Sequence, residues 1–155
     1  PEIIFILVGE GAEKRDIVHS ASDMKVLNKN LFILDPISKQ DLAQLYFECN
    51  MGSSFVIDVK ELWANSANKF FDTLAAGKPI LINHEGWQKE EIIKENIGYV
   101  LPTDIKNNEV KKFANYCQNE SLIIKQRENA LKIAKSKYST YTAVTKYNKI
   151  LKEIL

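Results

Sequence analysis

The sequence predicts an α/β domain built on a doubly wound parallel sheet. Short apolar runs alternate with longer amphipathic ones along the 155 residues. The short runs are apolar throughout rather than at every second position, the pattern of strands covered on both faces. Cap and turn residues stand where one kind of run gives way to the other. A βαβα order of this kind closes into a parallel sheet with right-handed crossovers.

The strands are expected at residues 3–8, 31–34, 54–57, 80–83 and 99–101, and the helices between them at 13–21, 39–49, 66–76 and 89–95. Only helices follow, at 108–118, 121–136 and 141–155. Ser38 precedes Asp41 by three residues and opens the Leu42, Leu45, Tyr46 stripe as a capping box in which Asp replaces the usual Glu. Gly77 is a C′ residue for the 66–76 helix, and Pro79 blocks its continuation. The last helix lines up Tyr141, Val144, Asn148, Leu151 and Leu155, so it needs a surface to lie on.

Composition narrows the class. Apolar residues make up 45% and charged residues 26%, an ordinary globular balance, and no apolar run approaches the length of a bilayer span. Cys49 and Cys117 stand far apart in no ligand-like spacing, which reads as two buried thiols in an intracellular chain. The net charge of +1 hides an asymmetry: residues 106–155 hold eleven Lys/Arg against four Glu, +7, which leaves −6 for residues 1–105. A basic last third suits a phosphate-rich ligand or an anionic membrane surface, or is a solvated helical face. Pro1-Glu2 runs straight into a core-type strand, so the chain is expected to be a piece of something longer.

In open α/β sheets ligands bind beyond the carboxyl ends of strands, at loops leading into helix N-termini. Three loops qualify. Val8-Gly9-Glu10-Gly11 lets the chain turn tightly and a ligand approach the backbone, but Lys14 stands where a dinucleotide fingerprint wants its third glycine. Leu34-Asp35-Pro36-Ile37-Ser38 is stiffened by Pro36, and its backbone groups suit the edge of a flat base. The third loop runs from Glu61 through Trp63 to Lys69. Ser66 is its expected N-cap, leaving the amides of Ala67, Asn68 and Lys69 free for an anion. Lys69 opposes the helix dipole, as a ligand-binding cation would. Asp72, four residues after Asn68 and three after Lys69, shares their face and can accept hydrogen bonds from paired sugar hydroxyls, or simply pairs with Lys69. His19 reads as a surface residue and His84 as a loop residue placed for a ligand contact. Trp63 and Trp87 line a cleft or cap the core. No metal cluster, nucleophile elbow or Walker-type loop is present.

Residues 65–83, NSANKFFDTLAAGKPILIN, closely resemble the C-terminal, donor-binding half of glycosyltransferases with the GT-B fold, in the large family 4 group that includes bacterial builders of surface polysaccharides, lipopolysaccharide and capsule. FILVGEGAEK, NLFILDPISKQDLAQLYFECN and GYVLP fit the same pattern, so the resemblance covers nearly the whole chain as one Rossmann-like domain, 1–155, with extra C-terminal helices. It implies a hexosyl or N-acetylhexosaminyl transfer from a nucleoside diphosphate sugar, UDP-sugar preferred, to a glycan or lipid-linked acceptor. The setting it implies is the inner face of the cytoplasmic membrane, with no cofactor, no metal and no nucleic acid. Asp72 falls where the second motif glutamate binds the ribose, residues Ser66, Ala67, Asn68 and Lys69 where diphosphate and sugar are held, Gly9 and Gly11 near the nucleotide, and Pro36 and Ile37 beside its base. Two departures stand out. Ala64 replaces the first motif glutamate, eight residues before Asp72, with Glu61, Asn68 or Lys69 as substitutes. The first strand of this domain, its diphosphate-clamping Arg and Lys, and the acceptor-binding N-terminal domain with the catalytic base would all lie upstream. The chain alone is therefore expected to be inactive, and its last helix to expose an apolar face or find another chain. Rival readings are a sugar-nucleotide epimerase of the same fold and a non-catalytic nucleotide-binding or interaction module.

Overall fold

The computed structural model describes residues 3–154. In chain order the elements are β1 (Phe5–Val8), α1 (Lys14–Asp23), β2 (Leu31–Leu34), α2 (Lys39–Glu48), β3 (Gly52–Ser54), a 3-10 helix (Lys60–Ala64), α3 (Asn68–Ala75), β4 (Ile80–Ile82), α4 (Trp87–Glu95), β5 (Gly98–Val100), α5 (Asn107–Cys117), α6 (Glu120–Lys137) and α7 (Thr140–Ile154). Every strand pair is parallel, as the continuous apolar runs predict: β1 with β2, and β3-β4-β5 in that order. The chain forms two compact units, one ending at Leu45 and one starting at Tyr46.

In the first unit β1 and β2 pair from Phe5 with Leu31 to Val8 with Leu34, and the Gly9 amide extends the ladder to the Leu34 carbonyl at 3.1 Å. The expectation that the first strand is covered on both faces fails. Ile4 is 60% and Phe5 42% exposed, and α1 buries only Ala21, because two strands and a helix this polar carry too little apolar surface to enclose it. α2 starts as its cap predicts. The Ser38 hydroxyl accepts from the Asp41 amide at 3.1 Å and donates to the Asp41 carboxylate at 2.7 Å.

The second unit is organised around β4, all of whose residues are buried. Phe70 and Leu74 of α3 meet Ile80 and Ile82 of β4, Ile92 of α4, Ile97, and Ala130, Ile133 and Ala134 of α6. Gly77 adopts a φ of +65° and closes α3 as a C′ residue; its amide donates to the Leu74 carbonyl at 3.0 Å and the Lys78 amide to the Thr73 carbonyl at 3.1 Å. The third strand lies earlier than the apolar run 54–57 predicts. Gly52 is drawn against α3, where a Cβ would fall 2.2 Å from Thr73 Oγ1, while Phe55 and Ile57 turn outward. Asn83 then continues the pairing with its side chain, accepting from the Val56 amide at 3.0 Å and donating to the Val56 carbonyl at 2.9 Å.

Buried polar groups tie the helices together. The Lys78 ammonium, nearly enclosed, donates at 2.7 Å to the Phe47 carbonyl near the end of α2, where a cation also complements the helix dipole. Burial lowers its pKa despite that partner. Gln126 of α6 accepts from the Tyr116 hydroxyl and donates to Asn96 Oδ1 at 2.8 Å and the Gly98 carbonyl at 3.0 Å. Glu91 accepts from Lys137 and from the Tyr138 hydroxyl. α7 buries none of its described residues: Tyr141, Val144, Tyr147, Ile150 and Ile154 are all exposed, and Leu155 of the expected stripe lies outside the described residues.

Gly98→Ala is expected to be among the most damaging single changes, costing about 3 kcal/mol or more, because its Cβ would lie 1.9 Å from the backbone oxygen of Ile80. Deleting residues 141–155, by contrast, should move the melting temperature of the chain by only a few degrees, since α7 buries none of its described residues. Thermal unfolding of the two variants followed by circular dichroism checks both.

Candidate nucleotide site

In the first unit the two loops singled out by the sequence are joined by one side chain. Gly9 has a φ of +145°, reached freely only by glycine, and a Cβ at Gly9 or Gly11 would meet no atom within 4 Å. The backbone of that loop is thus open to close approach. Lys14, in the first turn of α1, bonds both Glu10 and Asp35, the latter at 2.6 Å, and so links the glycine loop to the Asp35-Pro36-Ile37 loop. The residue that spoils a dinucleotide fingerprint is the one that fixes these loops. Its hydrogen bonds to Asp35 and then Glu10 raise the Lys14 pKa, and that to Lys14 lowers the Asp35 pKa. Pro36 and Ile37 are exposed beside it, an apolar surface of the kind a base can rest on.

In the second unit the start of α3 is held out by its own core. The N-cap is Ala67, not Ser66 as the sequence suggests, and no side chain caps the helix. The extended backbone at Ala67 (φ −63°, ψ 131°) delivers the chain into the helix directly, so the first helical amides are those of Asn68 and Lys69, while Phe70 N–H already bonds the Ala67 carbonyl at 3.0 Å. Ser66 stands exposed one residue earlier. Asn68, Lys69 and Asp72 are all exposed on one helical face. Among the described residues Lys69 and Asp72 form no ion pair, and neither charged group has a side-chain partner; the Lys69 carbonyl accepts from the Thr73 hydroxyl at 2.7 Å. The simple surface pair is therefore not what the structure contains; a cation, a carboxylate and two helix-start amides share one exposed face.

Nothing in the local pattern marks the 3-10 helix before Asn65, which has no periodic apolar stripe. It matters because residues three apart eclipse in such a helix, which puts Glu61 on the face of Ala64, one turn earlier. Trp63 is pressed against the next loop: a Cβ on Gly86, whose φ is +94°, would lie 2.8 Å from the Trp63 carbonyl oxygen. Trp87 joins the core, 5.3 Å from the Phe70 ring centroid and 6.1 Å from that of Phe71. His84 is buried and its Nδ1–H donates to the Glu85 carbonyl at 2.8 Å, whereas His19 is a surface residue beside Asp23. Cys49 and Cys117 are free, half-buried thiols whose pKa values burial pushes up. Among the described residues no group of His, Cys, Asp and Glu is placed to hold a metal, and no helix is long and apolar enough to cross a membrane.

No protein-family model and no curated protein matches this sequence. Solved structures do match its fold. HepE of Anabaena, in complex with UDP, superposes over 99% of this chain and 42% of its own with a TM-score of 0.80 at 17% identity. The fold is that of a GT-B glycosyltransferase domain. WaaG, a glycosyltransferase involved in lipopolysaccharide biosynthesis, matches over 86% of this chain and 34% of its own, with a TM-score of 0.68 at 16% identity. The pneumococcal O-GlcNAc transferase GtfA, in complex with UDP and GlcNAc, matches over 99% of this chain and 30% of its own, with a TM-score of 0.74 at 15% identity. The chain thus spans well under half the length of each of these three GT-B structures.

The Lys14 link has a pH signature. A lowered Asp35 pKa supplies stability above the ordinary aspartate value of 3.8 and loses it as pH falls through the native value. A raised Lys14 pKa supplies stability fully present below its ordinary 10.5 and lost only at higher pH. Denaturant midpoints of the unaltered chain and Lys14→Met should therefore differ at neutral pH and converge as pH falls below 3.8.

Proposed function

We propose that this chain is the donor-binding part of a glycosyltransferase that moves a sugar from a nucleoside diphosphate sugar, preferably a UDP-sugar, to a glycan or lipid-linked acceptor in surface-polysaccharide synthesis. The observation that carries the reading is the likeness, over 99% of the chain, to HepE, whose structures hold UDP and UDP-glucose. The start of α3 supports it independently. An exposed helix N-terminus with an unpaired Lys69 suits a diphosphate, and Asp72, one turn deeper, is a carboxylate able to take two vicinal ribose hydroxyls.

In that reading Asn68 and Lys69 amides and the Lys69 ammonium hold the diphosphate oxygens, with Ser66 and Ala67 alongside. Taken by itself, the first unit offers the open backbone at Gly9 and Gly11 and the exposed Pro36 and Ile37, which suit a nucleotide and its base. When the bond between the anomeric carbon and the diphosphate oxygen breaks, negative charge builds on the leaving group, and the helix start and Lys69 stabilise it. This electrostatic role asks for no metal. Glu61, three residues before Ala64 in the 3-10 helix, is our candidate to contact the donor sugar in place of the motif glutamate that Ala64 replaces. The base that activates the acceptor belongs to another domain of the working enzyme. The enzyme would act at the inner face of the cytoplasmic membrane, to which the basic last third of the chain is suited.

Calorimetric titration tests this. The chain should bind uridine diphosphate, Asp72→Ala should weaken binding by about tenfold or more, and Lys69→Ala should flatten its dependence on salt. An Asp72→Ala affinity equal to that of the unaltered chain removes the ribose assignment.

A further inference from the structure

Two glutamines are buried equally deeply, Gln88 at 1% exposure and Gln126 at 2%, yet they are served differently. Gln126 fills both ends of its carboxamide with three partners. Gln88, the second residue of α4, donates from Nε2 to the Asn65 carbonyl at 2.9 Å, while its Oε1 is buried with no partner. In the 3-10 helix whose C-cap is Asn65, the Trp63 indole Nε1 is also buried and unpartnered. Leaving a buried donor or acceptor unmade costs about 1–3 kcal/mol each, so a seam tuned only for stability would replace Gln88 by an apolar side chain.

What Gln88 does secure is Asn65. The Asn65 amide donates back to the Leu62 carbonyl at 3.1 Å, and its carbonyl is taken by Gln88. Both backbone polar groups of the residue leaving the 3-10 helix are thus fixed, two residues before the Ala67 cap of α3. With no side chain capping α3, the direction in which the Asn68 and Lys69 amides point depends on how that entry is held. We infer that Gln88 is a positioning residue of the nucleotide site, acting through the Asn65 carbonyl on the entry to α3; this rests on the nucleotide reading above. Gln88 touches no ligand itself.

The test uses the full chain with Gln88→Met, which keeps the volume and removes both the bond and the orphaned oxygen, and Gln88→Glu, which removes the donor. For Gln88→Met, hydrogen exchange of the Asn65 and Phe70 amides, which bond the Leu62 and Ala67 carbonyls, should speed up by about tenfold while that of β4 is unchanged, and uridine diphosphate affinity should fall by about tenfold with little change in melting temperature. For Gln88→Glu, affinity should fall at pH 8 and recover as the pH is lowered and the protonated carboxyl can again donate to Asn65. Exchange that is unaltered at Asn65 and Phe70, or accelerated equally in β4, overturns the inference. Nucleotide binding left intact by both variants overturns it while sparing the nucleotide reading. Failure of the unaltered chain to bind uridine diphosphate overturns that reading and the assignment with it.

Discussion

The burial of Phe70 and Leu74 against β4 and α6 is the contact on which the second unit depends. Both are fully enclosed, and side chains of this size contribute about 1.5–3 kcal/mol each on leaving water. The Phe70 ring meets Phe71, Trp87 and Tyr138 edge-on, so α3, α4 and the end of α6 are fixed through a single aromatic centre. A helix anchored on that face has no freedom to turn its other face inward. Asn68, Lys69 and Asp72 are exposed because Phe70 and Leu74 are not.

The ends of α3 are treated in opposite ways. Its C-terminus is fully satisfied: Gly77 takes the left-handed conformation, two amides close back onto the helix, Lys78 turns away to serve α2, and Pro79 leads into the buried β4. Its N-terminus is left without a side-chain cap and held from outside through Asn65. Stability is concentrated where the helix meets the sheet, and the exposed donors are left at the opposite end, the end proposed above for a diphosphate. The same economy shows in the glycines. Gly52 and Gly98 are filled against by Thr73 and Ile80, whereas the spaces over Gly9 and Gly11 are open.

The first unit follows a different rule. Its apolar strand β1 is half exposed, and the notable tie is ionic, Lys14 between Glu10 and Asp35. Exposed ion pairs contribute little to stability, so the value of this one lies in geometry: it keeps the glycine loop and the proline loop at a set distance from each other.

Much of this was written locally. The parallel α/β order, the Ser38–Asp41 cap, the Gly77 stop and the amphipathic α7 depend on residues near one another in the chain, and so does the set Asn68, Lys69, Asp72, which one helical turn brings together. The segment 65–83 by itself carries the resemblance to the GT-B fold. What tertiary structure alone decided involves contacts between distant residues. The third strand begins at Gly52 because Thr73, on another element, leaves room for nothing larger; the helix cap moves to Ala67; Lys14 finds Asp35; and Gln88 finds Asn65. Local pattern records which face of an element is apolar, but it carries no information about which polar group far along the chain will meet which, because those pairings are set only when the core has fixed the distances between elements.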